Sequence, residues 1–232
     1  MFCDDFEDTT AGGLPSGAGW LGIDEAACGS GNFDLAVSNE RAFSGTQSLK
    51  ITNASWAQCR IAASFGDADE FWLRANLYWD ESVDFSNKEV LAIDLAPAGN
   101  LTADDPAIRF GSRTKEPCTQ NGGAQITIIG LGNGESTGCD GSHPLPQASW
   151  YCFEAHVTQS GGTVSVKTYI DGAGLTYAST GKEPTETIDA TGVTAKIDHL
   201  RLGMFSTTSN LTGVVFVDDI AVAGTRIGCN GM

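Results

Sequence analysis

The chain of 232 residues carries a formal charge of −16, with 13 Lys and Arg against 29 Asp and Glu. This balance argues against binding to nucleic acid or to anionic membranes, because both need a basic surface on the protein. No apolar run approaches the roughly 18 residues of a transmembrane helix. The apolar fraction of 41% is that of a folded globular chain. The length suits one large β domain, so we expect a single domain over residues 1–232, as a monomer.

The seven cysteines predict disulfide bonds. None lies in a Cys-x-x-Cys pair, and with only three histidines in the chain a zinc cluster explains them poorly. Disulfides form in oxidising compartments, so we expect a secreted or cell-surface protein whose signal peptide, absent before Met1, has been removed. An odd count leaves one thiol over, and Cys3 near the start of the chain is the expected unpaired cysteine.

In chain order, strand-like segments recur at roughly ten-residue spacing, divided by clusters of Gly, Pro, Asn and Asp. The predicted strands are 2–7, 20–23, 33–37, 48–52, 58–65, 71–79, 88–95, 107–113, 125–130, 150–158, 163–171, 198–205 and 214–229. Segments with helical periodicity are absent. This pattern is typical of an all-β sandwich or jelly roll.

Strand 71–79 has the clearest alternation in the chain. Its predicted inward face is Phe71, Leu73, Ala75, Leu77 and Trp79, and its other face is Trp72, Arg74, Asn76 and Tyr78. Rings that stack, together with amide and guanidinium groups that bind hydroxyls, are typical of a sugar-binding surface. We therefore predict that Trp72, Arg74 and Asn76 bind substrate.

Two later segments carry further expectations. Segment 114–149 resembles long loops around one strand, in which a Cys118–Cys139 bridge would pin a loop at the rim of a sheet. Strand 150–158 places Cys152, Glu154 and His156 on one face, which favours a structural histidine bonded to Glu154 or to a backbone carbonyl.

The last strand, 214–229, is rich in Val, Phe and Ile and is interrupted by two aspartates. If Asp218 alternates with Phe216, Ile220 and Val222, it points into the core, where its charge needs a cation or hydrogen bonds. The acidic, apolar strand 2–7 is predicted to pair with it and to bring Glu7 near Asp218. Converging carboxylates suggest calcium, and the alternative is a pair of solvated acidic strand ends.

Several stretches together resemble one known family. They are 3–7 (CDDFE), 41–50 (RAFSGTQSLK), 71–75 (FWLRA), 107–111 (AIRFG), 150–156 (WYCFEAH) and 215–229 (VFVDDIAVAGTRIGC). With these motifs the chain looks like the fungal cellulose-induced secreted proteins and their bacterial relatives, which are β jelly rolls similar to glucuronan and alginate lyases. The resemblance covers most of the chain and implies a concanavalin-like or polysaccharide-lyase-like sandwich that acts on a polysaccharide.

The same resemblance implies a structural calcium ion (Ca2+). The residues that match the family's calcium site are Glu7, Ser44, Gln47 and Asp218. It also implies the disulfides Cys28–Cys59 and Cys152–Cys229, which leaves Cys118–Cys139 as an additional bond in this chain.

The predicted chemistry is less complete than the predicted fold. β-Elimination on a uronate needs a group that neutralises the carboxylate, a base for the C5 proton and an acid for the leaving oxygen. Arg109 matches the cleft arginine of the resembled family, and Arg74 matches an arginine on the neighbouring aromatic strand. The family also has a His two residues before the cleft arginine and a Gln four residues after it, and these positions are Ala107 and Arg113 in this chain. The predicted catalytic residues are Arg109, Arg113, His199 and Tyr78, with Tyr169 as another candidate base and Gln125 as a further substrate-binding residue.

Three hypotheses follow. The first is a secreted lyase for uronate-containing cell-wall glycans, with Arg109 and Arg113 forming its basic patch. The second is a non-catalytic carbohydrate-binding module for cellulose or a related polysaccharide, built on Trp72, Tyr78 and the arginines. The third is a glycoside hydrolase, which needs two carboxylates in one cleft, drawn from Glu89, Asp94 and Glu154.

Overall fold

The computed structural model describes residues 1–17, 19–23, 33–53, 60–85, 89–98, 107–113, 123–130, 134–178, 183–191, 195–206 and 211–229. These residues form sixteen strands and no α-helix. The strands are β1 (Phe2–Asp4), β2 (Trp20–Ile23), β3 (Phe33–Ser38), β4 (Ser48–Asn53), β5 (Arg60–Ser64), β6 (Glu70–Trp79), β7 (Glu89–Ala96), β8 (Ala107–Arg113), β9 (Gly123–Gly130), β10 (Gly134–Pro144), β11 (Trp150–Ser160), β12 (Thr163–Ile170), β13 (Ala173–Gly174), β14 (Ile188–Thr191), β15 (His199–Phe205) and β16 (Gly213–Ala223). Over these ranges, no helix is present that could cross a membrane.

The strands form two antiparallel sheets. Sheet 1 has the order β13-β12-β11-β6-β16-β4-β3, with β1 beside β16 and β14 beside β12. Sheet 2 has the order β10-β9-β8-β7-β15-β5-β2. Two sheets of this kind, each with one apolar face, make a β-sandwich of the predicted jelly-roll type.

One apolar core lies between the sheets. Sheet 1 contributes the alternating side chains of β6 that were predicted to point inward, from Phe71 to Trp79, all of them 0–1% exposed. Sheet 2 contributes the matching alternation of β7, β8 and β15, and Phe110 of β8 stacks on Phe153 of β11 with ring centroids 3.7 Å apart. Since the inner faces are packed together, the two outer faces point in opposite directions.

The terminal strands meet as predicted, because Phe2 of β1 pairs with Val222 of β16. The expected alternation of Asp218 is wrong in part. A bulge follows Asp218, where Asp219 has a positive φ of 45°, and it shifts the register between Asp218 and Ala221. As a result Asp218 lies with Phe216 on the outer face of sheet 1, whereas Ile220 and Val222 remain in the core.

One long strand lies where loops were expected. β10 pairs with β9 and forms an edge of sheet 2, although its sequence of Gly, Ser, Thr and Asp lacks apolar alternation. An edge strand is partly solvated, so it needs less of that pattern. Further into sheet 2, beyond β9, β8 packs closely on a bulge in β7, and a Cβ on Gly111 would lie 1.9 Å from the carbonyl oxygen of Val90. Glycine therefore permits the register that places Arg109.

Candidate active site on the outer face of sheet 2

Three neighbouring strands place charged side chains in one row on the outer face of sheet 2. Arg201 of β15 pairs with Asp94 of β7, and Asp94 pairs with Arg109 of β8. Their chain neighbours Leu200, Leu202, Ile93, Leu95, Ile108 and Phe110 fill the core. Because successive side chains of a strand alternate, the three charged residues point away from that core.

A fourth residue, Arg60 of β5, completes what we call the arginine cluster: Arg60, Asp94, Arg109 and Arg201. Arg60 Nη1 lies 2.5 Å from Asp94 Oδ2, and Arg109 Nε lies 3.8 Å from the same oxygen. All four residues are at most 2% exposed. Burial of ionised groups is costly unless they are paired, so the shared carboxylate explains how the guanidinium groups can converge here.

His199 lies on this face too, two residues before Arg201 on β15. Its Nδ1 is 2.6 Å from Asp198 Oδ1, and the two side chains are 13% and 27% exposed. The neighbour of His199 across the sheet is Ala96, which forms a small buried apolar pair with Ala107. This end of the face is therefore the more accessible one.

Two further predicted residues belong to the same sheet. Gln125 of β9 is buried and pairs with Gly111, and it lies on the outer face because its neighbour Ala124 is in the core. Arg113 ends β8 opposite Glu89 and Gly123, and its side chain is outside the described part of the chain.

The outer face of sheet 1 carries the other predicted substrate-binding residues, and it is largely closed. Arg74 donates from Nε and Nη2 to the carbonyl oxygen of Asp219, and Asn76 Nδ2 donates to the Asp219 carboxylate. Tyr78 lies under the guanidinium of Arg41, which is 4.0 Å from its ring centroid. These side chains therefore serve packing and hydrogen bonding within the protein.

Trp72 of the same face is also packed against other side chains. Its ring stacks on His156 at 4.3 Å between centroids, and the guanidinium of Arg226 lies 5.3 Å from its centroid. Arg226 is held by Glu154, with Nη2 2.8 Å from Oε2. His156 Nε2 is bonded to Glu70 at 2.8 Å, so the expected partner Glu154 is wrong.

The predicted site is thus divided between opposite faces of the sandwich. Arg109, His199 and Gln125 lie on sheet 2, whereas Trp72, Arg74, Asn76 and Tyr78 lie on sheet 1. Asp94 and Glu154 are divided in the same way, so they cannot serve as a pair of glycosidase carboxylates.

The four tyrosines of the chain all lie away from the outer face of sheet 2. Tyr78 and Tyr169 are on the outer face of sheet 1. Tyr151 and Tyr177 are in the core, where burial raises the pKa of each phenol well above its usual value. No tyrosine is therefore placed to protonate a leaving group beside the arginine cluster.

Sequence reasoning missed Arg60 and Arg201, and it considered Asp94 only as a possible glycosidase carboxylate. Arg201 stands between Leu200 and Leu202, and Asp94 between Ile93 and Leu95. A charged residue flanked by core leucine or isoleucine in a strand faces away from the core, so this signal was available.

The residues predicted to bind calcium gather around the loop of residues 41–47. Glu7 Oε1 accepts hydrogen bonds from the backbone N–H groups of Thr46 and Gln47, each at 2.8 Å. Asp218 Oδ2 accepts from the N–H groups of Phe43 at 2.7 Å and Ser44 at 3.2 Å. Searched over the described residues, the structure contains no group of three or more His, Cys, Asp or Glu side chains arranged to hold a metal.

The electrostatics of Asp218 differ from those of Glu7. Burial is the main cause that raises the pKa of Asp218 to about 7, and the neighbouring Asp219 adds to it against the lowering by three backbone N–H donors. The pKa of Glu7 is lowered by its hydrogen bonds from Thr46 and Gln47. A nearby cation would oppose the effects of burial and of Asp219 that raise the pKa of Asp218.

The disulfide predictions are confirmed where the structure describes them. Cys152 and Cys229 are bonded, with Cα atoms 5.7 Å apart, and Cys3 is an exposed free thiol as expected. Cys139 is also disulfide-bonded. Cys28, Cys59 and Cys118 lie outside the described residues.

The fold resembles solved structures of carbohydrate-related proteins. A cellulose-induced protein, Cip1, superposes with a TM-score of 0.70 at 19% identity, over 99% of this chain and 100% of that chain. An endo-1,3-beta-glucanase from Streptomyces sioyaensis gives a TM-score of 0.58 at 12% identity, over 96% and 94% of the two chains. Alginate lyase vAL-1 from Chlorella virus gives 0.55 at 12% identity, over 83% and 92%.

Comparison at the sequence level gives no further information. No protein-family model matches the chain, and no curated protein matches it. At identities this low the structural likeness establishes the fold and leaves the activity to be argued from the residues.

Proposed function

We propose that the protein is a secreted jelly-roll lyase that cleaves uronate-containing polysaccharide by β-elimination on the outer face of sheet 2. The observation that carries the proposal is the presence of the arginine cluster and His199 on that one face. The Cys152–Cys229 disulfide supports an oxidising, extracellular location. The lyase among the structural neighbours supports the reaction class by analogy of fold alone.

The arginine cluster supplies the electrostatic part of the chemistry. Removal of the C5 proton of a uronate puts negative charge on the carboxylate, which converging guanidinium groups stabilise strongly in a site that excludes water. Arg60 and Arg109 are 0% and 1% exposed, so their contribution is a cationic field beneath the face. The substrate itself enters at the exposed end, beside His199 and Asp198.

A second candidate function is non-catalytic binding of an acidic glycan on the same face. The positions of the four tyrosines favour it, because the face lacks the phenol that could protonate the leaving oxygen. The cluster would then recognise the carboxylates without turnover.

We further propose that the protein binds a structural calcium ion at the loop of residues 41–47. Glu7, Asp218 and Asp219 carry carboxylates around this loop, Ser44 a hydroxyl and Gln47 a side-chain amide, and the oxygens of such groups are the hard ligands that calcium takes. A cation beside these buried, adjacent aspartates would offset the repulsion between their carboxylates. The ion would fasten this loop to β16 and take no part in the chemistry.

The experiment that tests the proposed function is incubation of the calcium-loaded protein with a panel of uronate and neutral glycans. Ultraviolet absorbance reports the C4–C5 double bond of an elimination product, and affinity electrophoresis in the same glycans reports binding. Absorbance that rises with uronate polymers alone supports the lyase. Retention without a rise in absorbance supports the binding function. If neither retention nor a rise in absorbance is observed, both proposed functions are contradicted.

A further inference from the structure

We infer that the reacting sugar is held by His199 and Arg201, with His199 as the base, Arg201 as the group that neutralises the carboxylate, and Asp198 as the residue that positions His199. This inference rests on the proposed function and names the residues that would perform it. It moves the centre of the chemistry from Arg109 on β8 to the start of β15.

Distance decides between the two arginines. His199 and Arg201 are two residues apart on one strand, so their side chains share a face with Cα atoms roughly 7 Å apart. Arg109 lies two strands away and two residues further along, which puts its Cα roughly 12 Å from that of His199. In a uronate, C5 bears both the proton and the carboxylate, so the base and the neutralising cation must act on one ring. Arg201 is the nearer of the two to His199 and is therefore the better placed to meet this requirement.

Accessibility points to the same end of the face. The side chains of His199 and Asp198 are 13% and 27% exposed, whereas Arg60 and Arg109 are buried. A carboxylate that enters beside His199 reaches Arg201 before the other guanidinium groups. Because Arg201 is only 2% exposed, substrate binding has to open this end of the face.

Asp198 is built to orient the imidazole. Its backbone N–H donates to the carbonyl of Ala96 and its own carbonyl accepts from the N–H of Phe65, which anchors the residue between β5 and β7. Its carboxylate faces Nδ1 of His199 at 2.6 Å. The Nδ1–H group then donates a hydrogen bond to the Asp198 carboxylate, and the lone pair of Nε2 is left to accept the substrate proton.

The surroundings of His199 contain few other charges. Opposite it, β5 presents Ser64 and β7 presents Ala96, neither of which titrates. The charged side chains next along the same face, among the residues that the structure describes, are Arg201 and Asp94. Asp198 is therefore the carboxylate that orients this histidine.

A single imidazole can complete the reaction. Nε2 of His199 takes the C5 proton, the C5–H electron pair forms the C4–C5 double bond, and the C4–O4 bond breaks with its electrons on O4. The imidazolium then gives the proton to O4, so that His199 is regenerated and no tyrosine is required. One group reaches both atoms when the C5 proton and O4 lie on the same side of the ring. Polymers of D-mannuronate or D-glucuronate meet this condition, and the C5 epimer L-guluronate does not.

The test compares initial elimination rates of variants on polymannuronate and polyguluronate. His199→Ala is expected to lower kcat at least about 100-fold, and added imidazole is expected to restore part of the rate, which a merely misfolded variant would not show. Asp198→Asn is expected to lower kcat by about 10-fold or more with little change in KM, because the acceptor for Nδ1–H is weakened. Arg201→Lys, which keeps the charge but loses the planar fork, is expected to lower kcat and raise KM.

The matched controls are His143→Ala and His156→Ala, which remove the other two histidines of the chain and are expected to retain the wild-type rate. Elimination by the wild type together with full activity of His199→Ala, or loss of turnover on Arg109→Lys but not on Arg201→Lys, would overturn this inference and leave the proposed lyase in place. Absence of elimination by the wild type on every polymer would overturn both. Near-ultraviolet circular dichroism of each variant checks that the fold is kept.

Discussion

Arg226 forms an ion pair with Glu154, in which Nη2 and Nε of the guanidinium lie 2.8 Å and 3.2 Å from the same oxygen, Glu154 Oε2. Glu154 is buried in β11, whereas the Arg226 side chain is 42% exposed. The backbone N–H of Gly228 donates to the same carboxylate at 2.9 Å. The pair therefore fastens the segment after β16 across the outer face of sheet 1.

Removal of Arg226 is expected to leave this buried carboxylate without its cation. Arg226→Met should lower the free energy of unfolding by about 1–3 kcal/mol, less than a fully buried pair costs, because the guanidinium is partly solvated. Glu154→Gln, which keeps a hydrogen-bonding group without the charge, should cost less than Glu154→Ala. Urea denaturation measures the differences, and a change below about 0.5 kcal/mol for Arg226→Met would contradict this role.

The disulfide that ends the same segment should contribute more. Cys152 and Cys229 are 77 residues apart, and a loop of this length is worth about 4.5 kcal/mol in the chain-entropy treatment. The double variant Cys152→Ala, Cys229→Ala should therefore unfold at a clearly lower temperature. Cys3→Ser is the matched control, since that thiol is exposed and free, and it should leave the melting temperature unchanged. Equal melting temperatures for the two variants would refute the prediction.

The buried carboxylate of Asp218 should give the stability an unusual dependence on pH. Burial raises its pKa to about 7 in the folded state, above the unfolded value, so between these values the folded state binds the extra proton. In the absence of calcium the free energy of unfolding should fall as the pH rises from about 4 to about 7 and should level off above that. Asp218→Asn removes this contribution. The free energy of unfolding of the wild type minus that of the variant, measured at each pH by urea denaturation, should fall over this pH range. A difference that does not change with pH would contradict the prediction.

Bound calcium should stabilise the protein more at high pH than at low pH, which is the reverse of the pH dependence expected without the ion. Because the ion binds ionised carboxylates, millimolar calcium is expected to raise the melting temperature at about pH 8 and to raise it less at about pH 5.5. Glu7→Gln and Asp218→Asn should weaken the effect. Asp34→Asn, which changes an exposed carboxylate on β3, should not. A melting temperature that changes neither with calcium nor with a chelator would contradict the proposed calcium site.

The fold could be predicted from local patterns where the alternation is regular. The inward face of β6 follows from side-chain periodicity, and the pairing of β1 with β16 was predicted from the acidic, apolar character that the two strands share. The bulge at Asp219 could not be predicted in this way, because it breaks the period of two that the prediction assumes. β10 was not predicted for a related reason, because an edge strand of Gly, Ser and Thr shows no alternation of apolar and polar residues.

The site was harder to predict than the fold, because alternation identifies the outer side of a strand and not the sheet to which the strand belongs. Tyr78 and Arg109 both point away from the core, and the strand order places them on opposite sides of the sandwich. The closure of the sheet 1 face by Arg41 and Arg226 also depends on contacts between segments far apart in the chain. Arg201, by contrast, could have been recognised between two core leucines.

The most direct test of β-elimination is mass spectrometry of the oligosaccharides released from polymannuronate by the calcium-loaded protein. We expect products with an unsaturated non-reducing end, lighter by one water than the corresponding hydrolysis products, and their loss in His199→Ala. Saturated products would show hydrolysis, and an intact polymer that is nevertheless bound would show a binding module. Either result would contradict elimination at the outer face of sheet 2.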